Sequence, residues 1–211
     1  MIRAVLWDFG GVILSSPFEA FRHYEGQRGI PLDFIRSVNA TDPDVNAWAR
    51  LERAELDHEG FDVAFAAESA ALGHEVPGAD VLALLAGEVR PEVVTALDKV
   101  QAAGYKTACL TNNVVSRSEE PDGGRPEVAA VMAQFDVVVE SSKIGVRKPE
   151  PLFYETACEL LGVQASECVF LDDLGINLKP ARAMGMATIK VVDPDEALAE
   201  LEQILGLSLR A

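Results

Sequence analysis

The sequence predicts an α/β protein built on a parallel sheet, with a second, helical unit inserted after the first strand. Two observations support this class. From about residue 90 onward, short β-rich runs alternate with segments whose apolar residues recur at helical spacing, which is typical of parallel strands joined by crossover helices. Residues 16 to 88, by contrast, are helix-prone throughout and contain no convincing strand. We therefore expect a core formed by residues 1–15 and 89–211 and a small helical unit formed by residues 16–88.

Five short, β-prone runs are the predicted strands. The first is AVLWDF, beginning at residue 4, a very hydrophobic run that ends close to an acid, Asp8, and is followed by two glycines. The other four are KTACLT, DVVVES, CVFLDD and ATIKVV, which begin at residues 106, 136, 168 and 187.

The predicted crossover helices each carry one apolar stripe that would pack against the sheet. The stripe of the first consists of Val93, Leu97 and Val100, and that of a later one of Phe153, Ala157, Leu160 and Leu161. The last helix has a start signal, because Asp193 is a suitable N-cap followed by Pro194 and, three residues after the cap, by Glu196. Its inward-facing residues are Leu198, Leu201 and Leu205.

The inserted helical unit has aromatic and apolar residues spaced as in packed helices: Phe18, Phe21, Phe34, Trp48, Leu51, Phe61 and Phe65. Because it follows the first strand directly, it would lie over the carboxyl ends of the strands, where open α/β sheets bind ligands. A polar stretch rich in glycine and proline, residues 116–127, is expected to form an exposed loop.

The composition of the chain disfavours some classes of partner and localisation. The chain has 18 Lys and Arg against 34 Asp and Glu, a net charge of −16, so its field would repel nucleic acid and anionic membrane surfaces. No stretch is apolar enough to span a bilayer and the start of the chain has no cleavage signal, which favours a cytoplasmic protein. The three cysteines follow no metal-ligand spacing and are expected to be buried, reduced thiols: Cys109, Cys158 and Cys168. No motif predicts an oligomeric state.

Polar residues follow four of the predicted strands, where they would meet at one edge of the sheet. They are Asp8, then Thr111 and Asn112, then Lys148, then Asp172 and Asp173. A single acid at a strand end is usually a cap or turn residue, but this whole set is hard to explain as caps. Clustered carboxylates repel one another unless a cation lies between them, and an all-oxygen set suits Mg²⁺.

Such a site could process a small phosphorylated molecule. The bound Mg²⁺ would grip a phosphoryl oxygen, and Lys148, Thr111 and Asn112 would supply further donors. One aspartate could then attack phosphorus in line and form an aspartyl-phosphate that water hydrolyses.

The motifs DFGGV, LTNN, KPEPLFY and FLDDLGINLKPARAMGM, in this order, resemble those of the haloacid dehalogenase superfamily. The last one, together with KIGVRKPEP, is especially similar to the N-terminal phosphatase domain of soluble epoxide hydrolases and to relatives fused to acyl-CoA dehydrogenases. The resemblance implies a Rossmann-like core, with strand order 5-4-1-2-3, and a helical cap at residues 16–88.

The resemblance also implies roles for individual residues. Asp8 would be the nucleophile and a metal ligand, and Asp173 and the backbone carbonyl of Gly10 would be the other protein ligands of Mg²⁺. The phosphoryl group would be bound by Thr111, Asn112, Lys148 and Gly11, with Lys148 also stabilising the charge on Asp8. Asp172 and Asn177 would orient either the waters of the metal or Lys148. Pro180 and Gly185 would mark the start and the end of the helix beneath this loop.

One position departs from the pattern of phosphatases in this superfamily. Two residues after the nucleophile they usually have an aspartate that protonates the leaving group, and here that residue is Gly10. General acid–base catalysis of this kind contributes typically about 10²- to 10⁴-fold to the rate. Three hypotheses follow: a phosphatase that moves the proton in another way, a regulatory protein that binds a phosphorylated ligand and turns it over poorly, and a metal-free 2-haloacid dehalogenase. The paired acids Asp172 and Asp173 disfavour the dehalogenase.

Overall fold

The computed structural model describes residues 1–113 and 125–210. Its sheet has five parallel strands: β1 (Ala4–Trp7), β2 (Lys106–Thr111), β3 (Val137–Glu140), β4 (Cys168–Asp172) and β5 (Ala187–Lys190). They lie in the order β3-β2-β1-β4-β5, which is the expected order 5-4-1-2-3 viewed from the opposite edge. The predicted α/β class and strand order are therefore confirmed.

Five helices occupy the segment predicted to be helical. They are α1 (Phe18–Arg28), α2 (Phe34–Ala40), α3 (Ala47–Glu52), α4 (His58–Ala71) and α5 (Gly78–Ala83). Their inner faces form a hydrophobic cluster separate from the two that cover the sheet, with Phe61 and Phe65 at 0% exposure. The chain leaves the sheet and returns to it side by side, since Leu14 and Val89 form an antiparallel bridge.

Among the described residues, six further α-helices flank the sheet: α6 (Pro91–Ala102), α7 (Pro126–Met132), α8 (Ser141–Ile144), α9 (Pro151–Leu161), α10 (Gly175–Ala183) and α11 (Pro194–Leu205). Successive side chains of a strand point to opposite faces. Val5 and Trp7 accordingly lie in a cluster with α6, α7 and α11, whereas Ala4 and Leu6 pack with α9 and α10. The stripe predicted for α6 is buried, and Asp193 caps α11 by accepting a hydrogen bond from the N–H of Glu196.

Apart from differences of one or two residues at the ends of β3, β4 and β5, three details differ from the prediction. Strand β1 ends at Trp7, because Phe9–Ile13 form a wide turn in which Gly11 has a φ of 78° and the N–H of Leu14 donates to the carbonyl of Phe9. Leu160 is exposed, since the buried stripe of α9 is centred near Ala157 and Leu161 and, at ~100° per residue, Leu160 lies well to one side of it.

The third detail concerns Pro180, which lies inside α10 and not at its start. The helix begins earlier, at Gly175, directly after the turn in which the N–H of Leu174 donates to Asp172. Gly185 does follow the end of the helix, with a φ of 99°.

Other expectations meet the structure in part. All three cysteines are buried. The loop expected at 116–127 falls mainly on 114–124, outside the described residues, and α7 starts at Pro126. In the parts of the chain that the structure describes, every helix is too short or too polar to cross a membrane.

Candidate active site

The carboxyl ends of β1, β2 and β4 lie side by side in the middle of the sheet and bring the candidate residues together. Trp7 pairs in register with Cys109 of β2 and with Leu171 of β4. The next residue, Asp8, leaves the strand with its N–H donating to the carbonyl of Leu171 at 2.8 Å. The topology therefore fixes the backbone of Asp8 beside the acidic end of β4.

The two carboxylate oxygens of Asp8 have different surroundings. Oδ1 accepts a hydrogen bond from the N–H of Phe9 at 2.6 Å and lies 2.8 Å from Nζ of Lys148. Oδ2 has no hydrogen-bond partner among the described residues. Burial raises the pKa of Asp8 well above its ordinary value; Lys148 opposes this rise, and the neighbouring acids Asp172 and Asp173 add to it. One oxygen is thus held in place while the other is available.

Lys148 is 1% exposed, and its ammonium group bridges two acids. Nζ lies 2.8 Å from Asp8 and 2.8 Å from Oδ2 of Asp172, and it also lies over the ring of Phe170. Burial disfavours the charged form, but the carboxylates of Asp172 and Asp8 outweigh burial and raise the pKa of Lys148 above its ordinary value. The lysine is therefore a fixed cation beside the candidate nucleophile.

Asp172 is fully buried, and both of its carboxylate oxygens accept hydrogen bonds from protein groups. Nδ2 of Asn177 donates to both carboxylate oxygens at 3.1 and 3.0 Å, and the N–H of Leu174 donates to Oδ1 at 2.8 Å. With Lys148 on Oδ2, the carboxylate is surrounded by donors. Asp172 and Asn177 thus hold Lys148 in position, one of the two arrangements that the sequence left open.

Asp173 completes an acidic cluster. Asp8, Asp172 and Asp173 each offer a carboxylate oxygen within 4.8 Å of the others, a grouping that could hold a metal ion. Burial, followed by the charge of Asp172, raises the pKa of Asp173 to about 6. Gly11 approaches this acid so closely that a Cβ built on it would overlap the carboxylate. The glycine is needed for this approach and for its positive φ.

Thr111 is the last residue of β2 and Asn112 follows it, but the two side chains differ in their hydrogen bonding. Thr111 is 7% exposed, and its hydroxyl has no hydrogen-bond partner among the described residues. Nδ2 of Asn112 donates to Oε2 of Glu52 at 3.2 Å and to the carbonyl of Lys148 at 3.0 Å, while its Oδ1 accepts from the N–H of Lys148 at 2.8 Å. The threonine is free to bind a ligand, whereas the asparagine amide would have to give up an existing bond.

Gly10 is exposed, and a Cβ built on it would meet no atom within 4 Å. Its φ of −70° and ψ of 133° are accessible to any residue. The backbone and the surrounding space would therefore accept an aspartate here. The absence of the acid is a chemical difference and not a steric necessity.

Three residues near the site were missed from the sequence. Arg90 donates from Nη1 to the carbonyl of Gly11 at 3.0 Å, and its charge lowers the pKa of Asp173. Glu52, at the end of α3, is 5% exposed, and its carboxylate forms an ion pair with Nε of Arg147. Arg147 stood next to Lys148 in the quoted motif, and that adjacency was the available signal; Glu52 and Arg90 carried none.

Known proteins resemble this chain over most of its length. A model of the haloacid dehalogenase-like hydrolases matches residues 2–185. The chain belongs to this family. It is 36% identical to acyl-CoA dehydrogenase family member 10 of Mus musculus over 98% of this chain and 19% of that protein. It is 30% identical to bifunctional epoxide hydrolase 2 of Mus musculus over 97% of this chain and 39% of that protein. The chain therefore spans less than half the length of either relative, and the resemblance stated from the motifs is confirmed.

A solved structure shares the fold of this hydrolase. It is the HAD family enzyme bt-2542 of Bacteroides thetaiotaomicron, in complex with magnesium and inorganic phosphate. The TM-score is 0.59, with 19% identity, over 90% of this chain and 94% of that one. At this level of identity the likeness concerns the architecture of the chain.

Proposed function

We propose that this hydrolase is a Mg²⁺-dependent phosphatase that cleaves a small organic phosphate monoester through an aspartyl-phosphate on Asp8. The observation that carries the proposal is the asymmetry of the Asp8 carboxylate. One oxygen is anchored by Phe9 and Lys148, and the other is unbonded inside a cluster of acids. An anchored carboxylate with one free oxygen, beside a fixed cation, has the arrangement expected of a nucleophile that attacks an anionic group.

The acidic cluster fits a hard divalent cation. Burial raises the pKa values of Asp8 and Asp173, and the charge of the neighbouring Asp172 adds to both rises; a cation between them would reverse this effect. Asp172 is already surrounded by donors, so Asp8, Asp173 and the Gly10 carbonyl would hold the ion. Oxygen ligands of this kind suit Mg²⁺. When bound, Mg²⁺ supplies positive charge to a phosphoryl oxygen and to the nucleophile.

The residues of the chain divide the reaction between them. The free oxygen of Asp8 forms a bond to phosphorus as the bond to the leaving oxygen breaks, and the leaving alkoxide takes a proton from water. Lys148 and Thr111 donate to the phosphoryl oxygens as charge develops there. A second water molecule then forms a bond to phosphorus and gives a proton to the hydroxide left by the first step, while the bond from phosphorus to the Asp8 oxygen breaks. Inorganic phosphate and the free carboxylate of Asp8 are released. Gly11 lets the loop approach the phosphoryl group closely, since it has no side chain.

We also propose that residues 16–88 act as a cap over this reaction. Two residues of that segment support the assignment, because they contact the loop that carries Lys148. Glu52 binds Arg147, and Nη2 of Arg53 lies 2.7 Å from Oε1 of Glu150. A substrate bound at Asp8 would have its organic part between the core and this helical unit.

Gly10 should make the rate depend on the leaving group of the substrate. Without an acid there, wild-type rates are expected to fall steeply as the leaving group becomes more basic, whereas Gly10→Asp should flatten this dependence. The structure leaves space for the new side chain. The gain should be largest for alkyl phosphates, up to about 10²-fold, which is the lower end of general acid catalysis. The measurement is kcat/KM over a graded series of aryl and alkyl phosphates.

The same series tests the function itself. Turnover with Mg²⁺ and none with EDTA is expected. A flat dependence on the leaving group in the wild type would mean that another residue supplies the proton. Binding of phosphate without turnover of any ester would favour the regulatory hypothesis, and chloride release from a 2-haloacid would favour the dehalogenase.

A further inference from the structure

We infer that Glu52, the last residue of α3, is a positioning residue that holds Asn112 and the loop of Lys148 in their working geometry. The orientation of the lysine would then depend on contact between the helical unit and the core. The inference rests on the phosphatase function proposed above. It concerns a residue that touches no reacting atom and acts through its neighbours.

The carboxylate of Glu52 is buried between the two parts of the chain and is surrounded by donors. Oε1 accepts a hydrogen bond from Nε1 of Trp48 at 2.9 Å. Oε2 accepts from Nδ2 of Asn112 at 3.2 Å and from Nε of Arg147. A carboxylate is removed from water only where donors replace its hydration. Burial raises the pKa of Glu52, and Arg147 opposes that rise.

From Glu52 the contacts lead to the lysine in two ways. The side chain of Asn112 makes two hydrogen bonds to the backbone of Lys148. Its Nδ2 donates to the carbonyl of Lys148 at 3.0 Å, and its Oδ1 accepts from the N–H of Lys148 at 2.8 Å. Arg147 precedes Lys148 in the chain, and its Nη1 also donates to the carbonyl of Pro43 in the helical unit at 3.1 Å. The Nζ group of Lys148 in turn lies 2.8 Å from Asp8. The helical unit thus holds the backbone from which the lysine extends.

A neighbouring ion pair provides a matched control. Arg53 crosses the same boundary and donates from Nε and Nη2 to Oε1 of Glu150 at 3.0 and 2.7 Å. Neither side chain hydrogen-bonds to Asn112 or Lys148 among the described residues. Arg53→Met removes this attachment and leaves Glu150, with its 3.4 Å contact to the N–H of Arg147, in place. A role in attachment alone would affect both variants alike.

The experiment compares Glu52→Gln with Arg53→Met on an aryl phosphate with Mg²⁺. The glutamine removes the charge beside Arg147 and places an amide group against donors. We expect kcat of Glu52→Gln to fall about 10- to 100-fold, the range for a catalytic group displaced by ~1 Å, and KM to rise by no more than about tenfold. The kcat of Arg53→Met should stay within about threefold of the wild type. Thermal unfolding of both variants checks that they are folded.

Equal losses of kcat in the two variants, or wild-type kcat in Glu52→Gln, would overturn the inference. If Glu52→Gln does not fold, Glu52→Asp takes its place, because it keeps the charge and withdraws it by one methylene. If the wild type hydrolyses no ester, the proposed function fails, and calorimetry with inorganic phosphate and Mg²⁺ decides the inference separately. Binding weakened about tenfold in Glu52→Gln would support it, and unchanged binding would overturn it. A wild type that binds no phosphate would overturn both proposals.

Discussion

Asp8→Asn is expected to abolish phosphatase turnover and to leave the fold unchanged. The amide oxygen of asparagine can still accept the hydrogen bonds that Phe9 and Lys148 donate to Oδ1, so the local geometry is retained. The amide cannot attack phosphorus in place of the carboxylate. Removing the nucleophile of a covalent mechanism typically costs several orders of magnitude, and a fall in kcat of at least about 10⁴-fold is expected. Steady-state rates, circular dichroism and thermal unfolding provide the measurement.

Asp98→Asn is the matched control for this substitution. Asp98 lies exposed on α6, so the same chemical change there should leave kcat unaffected. Acid quenching during turnover should trap a phosphoryl group on the wild type and on Asp98→Asn, and none on Asp8→Asn. An Asp8→Asn protein that lost less than about tenfold of its rate would contradict the nucleophilic role of Asp8.

Much of the core could be predicted because each of its elements is identified by a local pattern. The run from Ala4 to Trp7 is apolar on both faces, and a strand covered by helices on both faces has that composition. Asp193 and Pro194 gave the start of α11 for a similarly local reason. The errors at Leu160 and Pro180 concern the centre of a stripe and the first residue of a helix. The exposure of Leu160 depends on how α9 packs against the sheet, and the start of α10 depends on the turn that Asp172 makes after β4.

The residues of the site also differ in whether a local sequence pattern could predict them. Asp8, Asp172 and Asp173 were predictable because parallel strands bring their carboxyl ends to one edge of the sheet. Glu52 was not, since it lies 60 residues from Asn112 in the chain and meets it only through the packing of α3 against the core. The same contact explains why the amide of Asn112, expected to bind phosphate, is already engaged by protein groups.

Gly11→Ala is expected to lower metal-dependent activity strongly while the protein stays folded. The new Cβ would overlap the carboxylate of Asp173 and would lie only 2.9 Å from its farther oxygen, Oδ1. This carboxylate is the end of a short, rotatable side chain, so the fold can adapt by turning Asp173 away. That movement removes a proposed ligand from Mg²⁺. We expect kcat/KM to fall at least about 100-fold and the Mg²⁺ concentration needed for half-maximal activity to rise at least about tenfold.

The control must separate this overlap from backbone strain, because alanine at the φ of 78° found for Gly11 is itself unfavourable by about 1–2 kcal/mol. Gly206, at the end of α11, has a φ of 69°, and a Cβ there would meet no atom within 4 Å. Gly206→Ala should therefore lower the unfolding temperature about as much as Gly11→Ala, with unchanged kinetics and Mg²⁺ dependence. If Gly11→Ala kept the wild-type Mg²⁺ dependence, the proposal would be wrong that Asp173 binds Mg²⁺ from the space that Gly11 leaves open. If both variants lost activity in proportion to stability, strain alone would account for the effect.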